Sequence, residues 1–330
     1  MNVLVTGGAG YIGGHMVLAL LDAGHKPIVF DNLSTGFRWS VPEGVPLVVG
    51  DIGDFELVLR TLQTYRIDAI AHFAAKLVVP ESVADPLGYY LNNTVKSRSL
   101  MAAAVAAGVK KFVFSSTAAV YGNASDKPLA EDAPLAPLSP YGSSKQLTEV
   151  MLRDVATAHD MRYVILRYFN VAGSDPAMRH GQSTANATHL IKVAIQTALG
   201  MRSHMEVFGS DYPTPDGTCI RDYIHVTDLI AAHMLALNHL DQGGESLVVN
   251  CGYGHGYSVS EVIETVRKVS GKPVEARFAP RRAGDPVTIV ADSARIRSRL
   301  GWEPRHDDLA SIVDHSLRWE SMLRERNLKF

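Results

Sequence analysis

The chain has 330 residues, 46% of them hydrophobic and 20% charged, with a formal net charge of −2 at pH 7. That length suits one large α/β domain with an appended lobe, or two domains. The near-zero charge excludes a global basic field for nucleic acid or an anionic membrane surface, so any phosphate must be held by a local site. Cys219 and Cys251 stand far apart with no CxxC pairing, which reads as two small hydrophobes and not as a disulfide framework or a zinc site. The start of the chain runs straight into a strand-like stretch, and the most apolar long segment, 100–109, is too short to span a bilayer. A cytoplasmic protein with no membrane contact is expected.

Apolar, β-branched runs predict strands over 3–6, 27–31, 46–50, 69–72, 111–115 and 163–167, with helices between them over 11–23, 55–65, 89–107 and 141–158. Strand–helix alternation implies right-handed crossovers and a doubly wound parallel sheet, an α/β fold of the Rossmann type. After about residue 170 the rhythm breaks into Gly- and Pro-rich loops and shorter helices, one of them over 258–270, where Ser258 and Glu261 have capping-box spacing. The expected division is an NAD-binding domain over 1–171, to which some later segments return, and a smaller α/β substrate lobe over 172–330. A cleft should lie above the carboxyl ends of the strands.

The first strand ends in a glycine loop. Glycines 8, 10 and 13 satisfy GxGxxG, and Gly7, Gly10 and Gly13 satisfy the related GxxGxxG. A strand before and an apolar-periodic helix after supply the context in which such a loop seats a pyrophosphate on a helix N-terminus. Asp31 ends the second strand, where a carboxylate accepts from a ribose diol and repels a 2′-phosphate, so NAD is favoured over NADP. The plainer reading of Asp31 is a turn residue for 31–34.

Ser139-Pro140 is a helix start, and Tyr141 and Lys145 follow at i and i+4 on one face. A phenol is a poor base at neutral pH, but a nearby ammonium and an oxidised nicotinamide favour the phenolate. Alone, YxxxK is a common exposed-helix pair. Its weight comes from the strand-end segment 115–117 about 25 residues upstream, where the Thr117 hydroxyl is placed to relay a proton; by itself Thr117 is a strand-end cap.

With the glycine loop, the Ser-Ser-Thr segment and the YxxxK helix together, the chain resembles the extended short-chain dehydrogenase/reductases. Thr6–Gly13, His72–Ala75, Arg167–Asn170 and Arg221–Val226 carry a closer resemblance to the UDP-glucose 4-epimerases, and the match runs from residue 2 to about 320.

The resemblance implies NAD as cofactor. It places Gly7, Gly10, Tyr11, Ile12 and Gly13 at the pyrophosphate, Asp31 and Asn32 at the adenosine ribose, and Asp51 and Ile52 beside adenine. Phe73, Ala74, Asn92, Ser115, Tyr141, Lys145 and Tyr168 fall along the path to the nicotinamide. It places the uridine diphosphate of a UDP-hexose on Asn170, His189, Leu190, Phe208, Arg221, Arg282 and Asp285, with Thr117 and Tyr141 at the sugar. Two positions depart from the family: Leu77 stands where relatives carry lysine, one place after Lys76, and His189 where they often carry asparagine. A packing role for His189 stays open, and no histidine spacing suggests a metal. The implied reaction is inversion of C4 through a transient 4-keto sugar, in a homodimer packed through 89–107 and 141–158.

Rival readings on the same scaffold are a 4,6-dehydratase, which needs an acid where this chain has Ala118-Ala119, and a 4-epimerase of another UDP-sugar. In the latter, Ile289 falls at the gate on a 2-acetamido group. A non-enzymatic NAD sensor typically loses the tyrosine or lysine that this chain keeps.

Overall fold

The computed structural model describes residues 1–122, 127–184, 187–282 and 285–325. The first strands are β1 (Asn2–Thr6), β2 (Lys26–Asp31), β3 (Leu47–Val49), β4 (Ala69–His72), β5 (Lys111–Thr117) and β6 (Arg162–Tyr168). With Leu247–Cys251 they form one parallel sheet of seven strands, ordered Leu247–Cys251, β6, β5, β4, β1, β2, β3. Successive side chains of a strand alternate between faces. Val3 and Val5 accordingly pack against helices α1 (Tyr11–Asp22) and Val226–Asp241, while Leu4 packs against α2 (Phe55–Thr64), Lys96–Ala107 and Pro140–Ala158. Burial on both faces explains why the strands read as unbroken apolar runs. The order of connection reverses at β1, between β2 and β4, which opens the crevice that doubly wound folds use for nucleotides.

The strand ends differ by a residue or two from expectation, and one helix differs more. In place of a continuous helix over 89–107, the chain forms Pro86–Tyr89, a π-helical stretch Tyr90–Val95, and then Lys96–Ala107. The start moves upstream because Asp85 caps the Gly88 amide and Pro86 occupies the first turn. Within the π stretch the buried Asn93 accepts from the Lys76 amide and donates to the Lys76 carbonyl and the Ser144 hydroxyl, so side-chain bonds compete with the helical ladder. The helix Val259–Ser270 has the full capping box, with Ser258 and Glu261 bonded in both directions.

Only Phe169 separates β6 from Asn170–Ala172, which pairs in parallel with Tyr223–His225. Ile220–Arg221 pairs with Tyr257–Ser258 and Thr288–Ile289. The helices Leu190–Ala198, Val259–Ser270 and Leu309–Glu325 pack on one another. The second half is therefore hung directly from the carboxyl end of the central sheet. Among the described residues, no helix is long and apolar enough to cross a membrane.

Candidate functional site

Beyond β1 the chain turns through Gly7 at φ +71°. A Cβ on Gly7 would lie 2.8 Å from the Ala74 amide nitrogen, and one on Gly13 would lie 2.2 Å from the Gly7 carbonyl oxygen. Glycine is required at both positions, one for its conformation and both for close backbone approach. Gly10 gives α1 no side-chain cap, so the amides of Tyr11, Ile12 and Gly13 face outward as a seat for an anion. The loop is pinned from two sides. Asp31 accepts from the Ala9 amide at 3.0 Å and from the Leu33 amide at 2.8 Å, and the Tyr11 hydroxyl donates to the Gly173 carbonyl at 2.6 Å. Burial pushes the Asp31 pKa up against those two bonds. Asp31 thus makes the turn and also fixes the glycine loop. His180, which the sequence did not single out, packs its ring on Gly14, with Nε2 3.1 Å from the Gly10 and Tyr11 carbonyls.

Lys96 gathers the next group. Its ammonium lies 2.5 Å from Asp51 and 3.4 Å from the Asn92 side-chain oxygen. Burial opposes ionisation of Asp51, but the Lys96 contact and the Gly53 amide outweigh it and hold the carboxyl below its usual range. Asn32, whose side chain caps the Ser34 amide, also reaches Asp51, and Ile52 is buried next to it. Lys76, next to Leu77, pairs with Glu81 at 2.9 Å.

The reactive group forms where β5 ends. Ser139 caps the Gly142 amide, and the helix Pro140–Ala158 then raises Tyr141 and Lys145 one above the other. Thr117 bonds to the Tyr141 phenol and also caps the Ala119 amide at 3.1 Å. Its two readings therefore coexist. Burial raises the Tyr141 pKa and the Thr117 bond lowers it, with burial prevailing. Burial likewise pulls Lys145 down to about 7, against the opposing charge of Glu149. The Lys145 ammonium donates to the Ser115 carbonyl at 2.9 Å, not to the phenol. Lys145 is not among the groups that shift Tyr141, so the expected activation of the phenol by the ammonium is not seen in the protein alone; a positive charge near the phenol would oppose the effect of burial.

Behind this pair, Ser115 Oγ lies 3.2 Å from the Tyr168 hydroxyl and 3.3 Å from His233 Nε2. His233 donates from Nδ1 to the Leu229 carbonyl and rests against the Phe73 ring at 4.9 Å. Burial lowers its pKa to about 4, so the ring is neutral and Nε2 accepts from Ser115. His233 lies 118 residues from Ser115, and nothing in the sequence joins them.

A partly open pocket of about 40 Å³ lies where the second half meets the end of β6, lined by Asn170, His189, Leu190, Gln182, Lys192 and Trp319 among others. His189 sits at the N-terminus of the helix Leu190–Ala198, and its Nδ1 accepts from Gln182 at 2.8 Å. Burial, aided by the Lys192 charge, lowers its pKa to about 4; the neutral ring therefore carries its proton on Nε2 and can donate from there. Arg221 pairs with Asp285 and donates to the Ile220 carbonyl, while the Arg282 guanidinium stacks 3.7 Å over Phe208. The structure thus gathers Asn170, His189 and Leu190 in one place, and links Arg221 to Asp285 and Arg282 to Phe208.

One group escaped the spacing argument for metals. His225, His306 and His315 come together, with His225 Nε2 3.0 Å from His315 Nδ1. The Thr227 amide donates to His225 Nδ1. The neutral His225 ring therefore bears its proton on Nε2 and donates it to His315, which leaves that nitrogen no lone pair for a cation.

Comparisons with known proteins agree with this geometry. A UDP-glucose 4-epimerase from Azospirillum brasilense is 58% identical over 324 residues, spanning 98% of this chain and 93% of its own. A crystal structure of UDP-glucose 4-epimerase from Brucella ovis in complex with NAD superposes with a TM-score of 0.93 at 43% identity, covering 96% of this chain and 97% of the other. The UDP-Glc/GlcNAc 4-epimerase from Campylobacter jejuni does so with a TM-score of 0.85 at 45% identity, covering 97% and 99%. Residues 3–252 match the model of the NAD dependent epimerase/dehydratase family, and the chain belongs to that family.

Proposed function

We propose that the protein interconverts UDP-glucose and UDP-galactose by inverting C4 through a transient 4-keto sugar. One observation carries this reading. Thr117, at the end of β5, hydrogen-bonds to the Tyr141 phenol, and Ala118 and Ala119 follow where a dehydratase needs an acid. The Tyr141 phenolate takes the proton of the C4 hydroxyl, with Thr117 sharing it. NAD, when bound on the glycine loop, supplies the chemistry of accepting a hydride from C4 and returning it to the opposite face of the sugar. Residues 1–171 would hold NAD, and residues 172–330 the UDP-sugar. Asn170, His189, Leu190, Phe208, Arg221, Arg282 and Asp285 anchor the uridine diphosphate, so that the hexose can turn over while the nucleotide stays.

The assay is conversion of UDP-galactose to UDP-glucose by the purified protein with no NAD added. Conversion to a steady mixture is expected. A stable 4-keto-6-deoxy product, or no conversion even with NAD supplied, would overturn the reading. Ile289 bears on substrate range. It lies in Thr288–Ile289 and packs against the cluster that holds Ala118, Val120, Tyr121 and Phe169, the first of which follows Thr117.

We assign the protein to the cytoplasm, a reading its two unpaired cysteines support, and read it as a homodimer. Leu87, Leu91 and Val95 recur every four residues with their apolar side chains exposed, Leu87 at 78%, and Leu147 and Val150 are exposed on the neighbouring helix Pro140–Ala158. Such a stripe fits a second copy better than water. Light scattering should give twice the chain mass, and Leu91→Glu should reduce it to that of the monomer.

A further inference from the structure

We infer that Glu149, backed by Arg167 and Arg153, is a positioning residue that fixes the charge state of Lys145 and so the pH range in which the Tyr141–Lys145 pair works. The inference rests on the assignment of that pair as the catalytic one.

Tyr141, Lys145 and Glu149 follow one another at steps of four residues, so the helix Pro140–Ala158 sets all three on one face. Glu149 is wholly buried, and a buried carboxylate is tolerated only when its lone pairs are filled. Here all are. One oxygen accepts from the Ser116 hydroxyl at 2.6 Å and from Arg167 Nε at 2.9 Å; the other accepts from Arg167 Nη2 at 2.6 Å and Arg153 Nη2 at 3.1 Å. Arg167 is itself clamped from behind by the Tyr121 hydroxyl and the Glu131 carbonyl. Adjacent residues of β5 hold the two ends of the pair: the Ser115 carbonyl accepts from Lys145, and the Ser116 hydroxyl donates to Glu149.

The groups facing Lys145 come from three directions. Its own helix contributes Tyr141 and Glu149. β4 contributes His72, which burial, with the Lys145 charge, lowers to about 3 and leaves neutral. β5 and β6 contribute the Phe114 ring, Tyr168 and Arg167, with neutral His233 behind Ser115. Glu149 is the one anion among these described groups. In so dry a setting its charge decides whether Lys145 keeps its proton, and burial opposes it. The arginines set how much of that charge Lys145 feels. Arg153 is the partly exposed one of the two.

The pair works one proton short of full protonation, as a phenolate facing an ammonium, once a positive charge near the phenol offsets the burial that raises Tyr141. Removing the carboxylate makes that proton leave at lower pH; exposing more of its charge does the reverse. Glu149→Gln should therefore move the pH profile of kcat/KM toward acid by about one unit, and Arg153→Met should move it toward alkali by a few tenths. Arg153 is at the surface, so its variant decides the matter even if Glu149→Gln does not fold. A purely structural role predicts lower rates at every pH with both limbs unmoved, and that result overturns the inference. Tyr141→Phe runs alongside. If it stays inactive while the limbs do not move, the catalytic assignment survives and the role of Glu149 is lost; if it keeps full turnover, both are lost.

Discussion

The two ends of the cleft are built on opposite plans. At the proposed catalytic end, Lys145 is anchored to a backbone carbonyl and Tyr141 to a buried hydroxyl, on the same helix whose Glu149 is saturated by Arg167 away from water. At the proposed nucleotide end, Arg282 is exposed over Phe208, and Arg221 is held by Asp285, a carboxylate that is itself part of that proposed site. The difference suits the chemistry. Reacting groups must be preorganised, because reorganisation at the moment of reaction costs rate. Anchors for a charged ligand must have donors that can change partner as the ligand arrives.

The contrast can be broken most directly at Tyr141. Tyr141→Phe should lower kcat by roughly 10²–10⁴-fold while the protein stays folded and retains NAD, read from steady-state conversion and from cofactor released on denaturation. Retention of activity would place the base elsewhere.

Acid should undo the buried plan next. His15, His72, His225 and His233 are buried, and burial is the leading cause that lowers them to about 3, 3, 2 and 4. Their folded pKa values lie below the unfolded one, so the unfolded chain takes up protons first as the pH falls. Their stabilising effect is complete above about pH 6.5 and is lost below it. One pH unit lower, each costs about 1.4 kcal/mol. A steep fall in Tm between pH 6.5 and 5.5 is expected. A flat Tm across that interval would show that these rings are hydrated.

Smaller effects sharpen the other side. Arg221→Met should raise KM for the UDP-sugar by roughly ten- to a hundredfold, the value of a charge-assisted bond, with kcat little changed. A loss confined to kcat would instead tie Arg221 to the chemistry. Ile289→Ala should increase relative kcat/KM for the N-acetylated substrate by about tenfold or less, since a few methylenes discriminate no more strongly; an unchanged ratio would remove Ile289 from the sugar pocket.

The parts of the site that local sequence reveals are those made by local rules. Ser139 and Pro140 announce a helix, and the four-residue step from Tyr141 to Lys145 then fixes their common face. The same step extended once more reaches Glu149, so that residue was within reach of a pattern argument. The π-helical stretch Tyr90–Val95 was not, because it depends on Asn93 meeting Lys76 and Ser144.

What the sequence determined by itself is the alternation of strands and helices, the glycine loop and the caps. Backbone stereochemistry and side-chain period act over a few residues and need no distant partner. Only the tertiary structure decided that His233 stands behind Ser115, that Arg167 saturates Glu149, that Arg221 meets Asp285, and that His225 bonds to His315. Those pairings join residues 18 to 118 positions apart. Their charge states follow from desolvation, which exists only once the chain has closed around them.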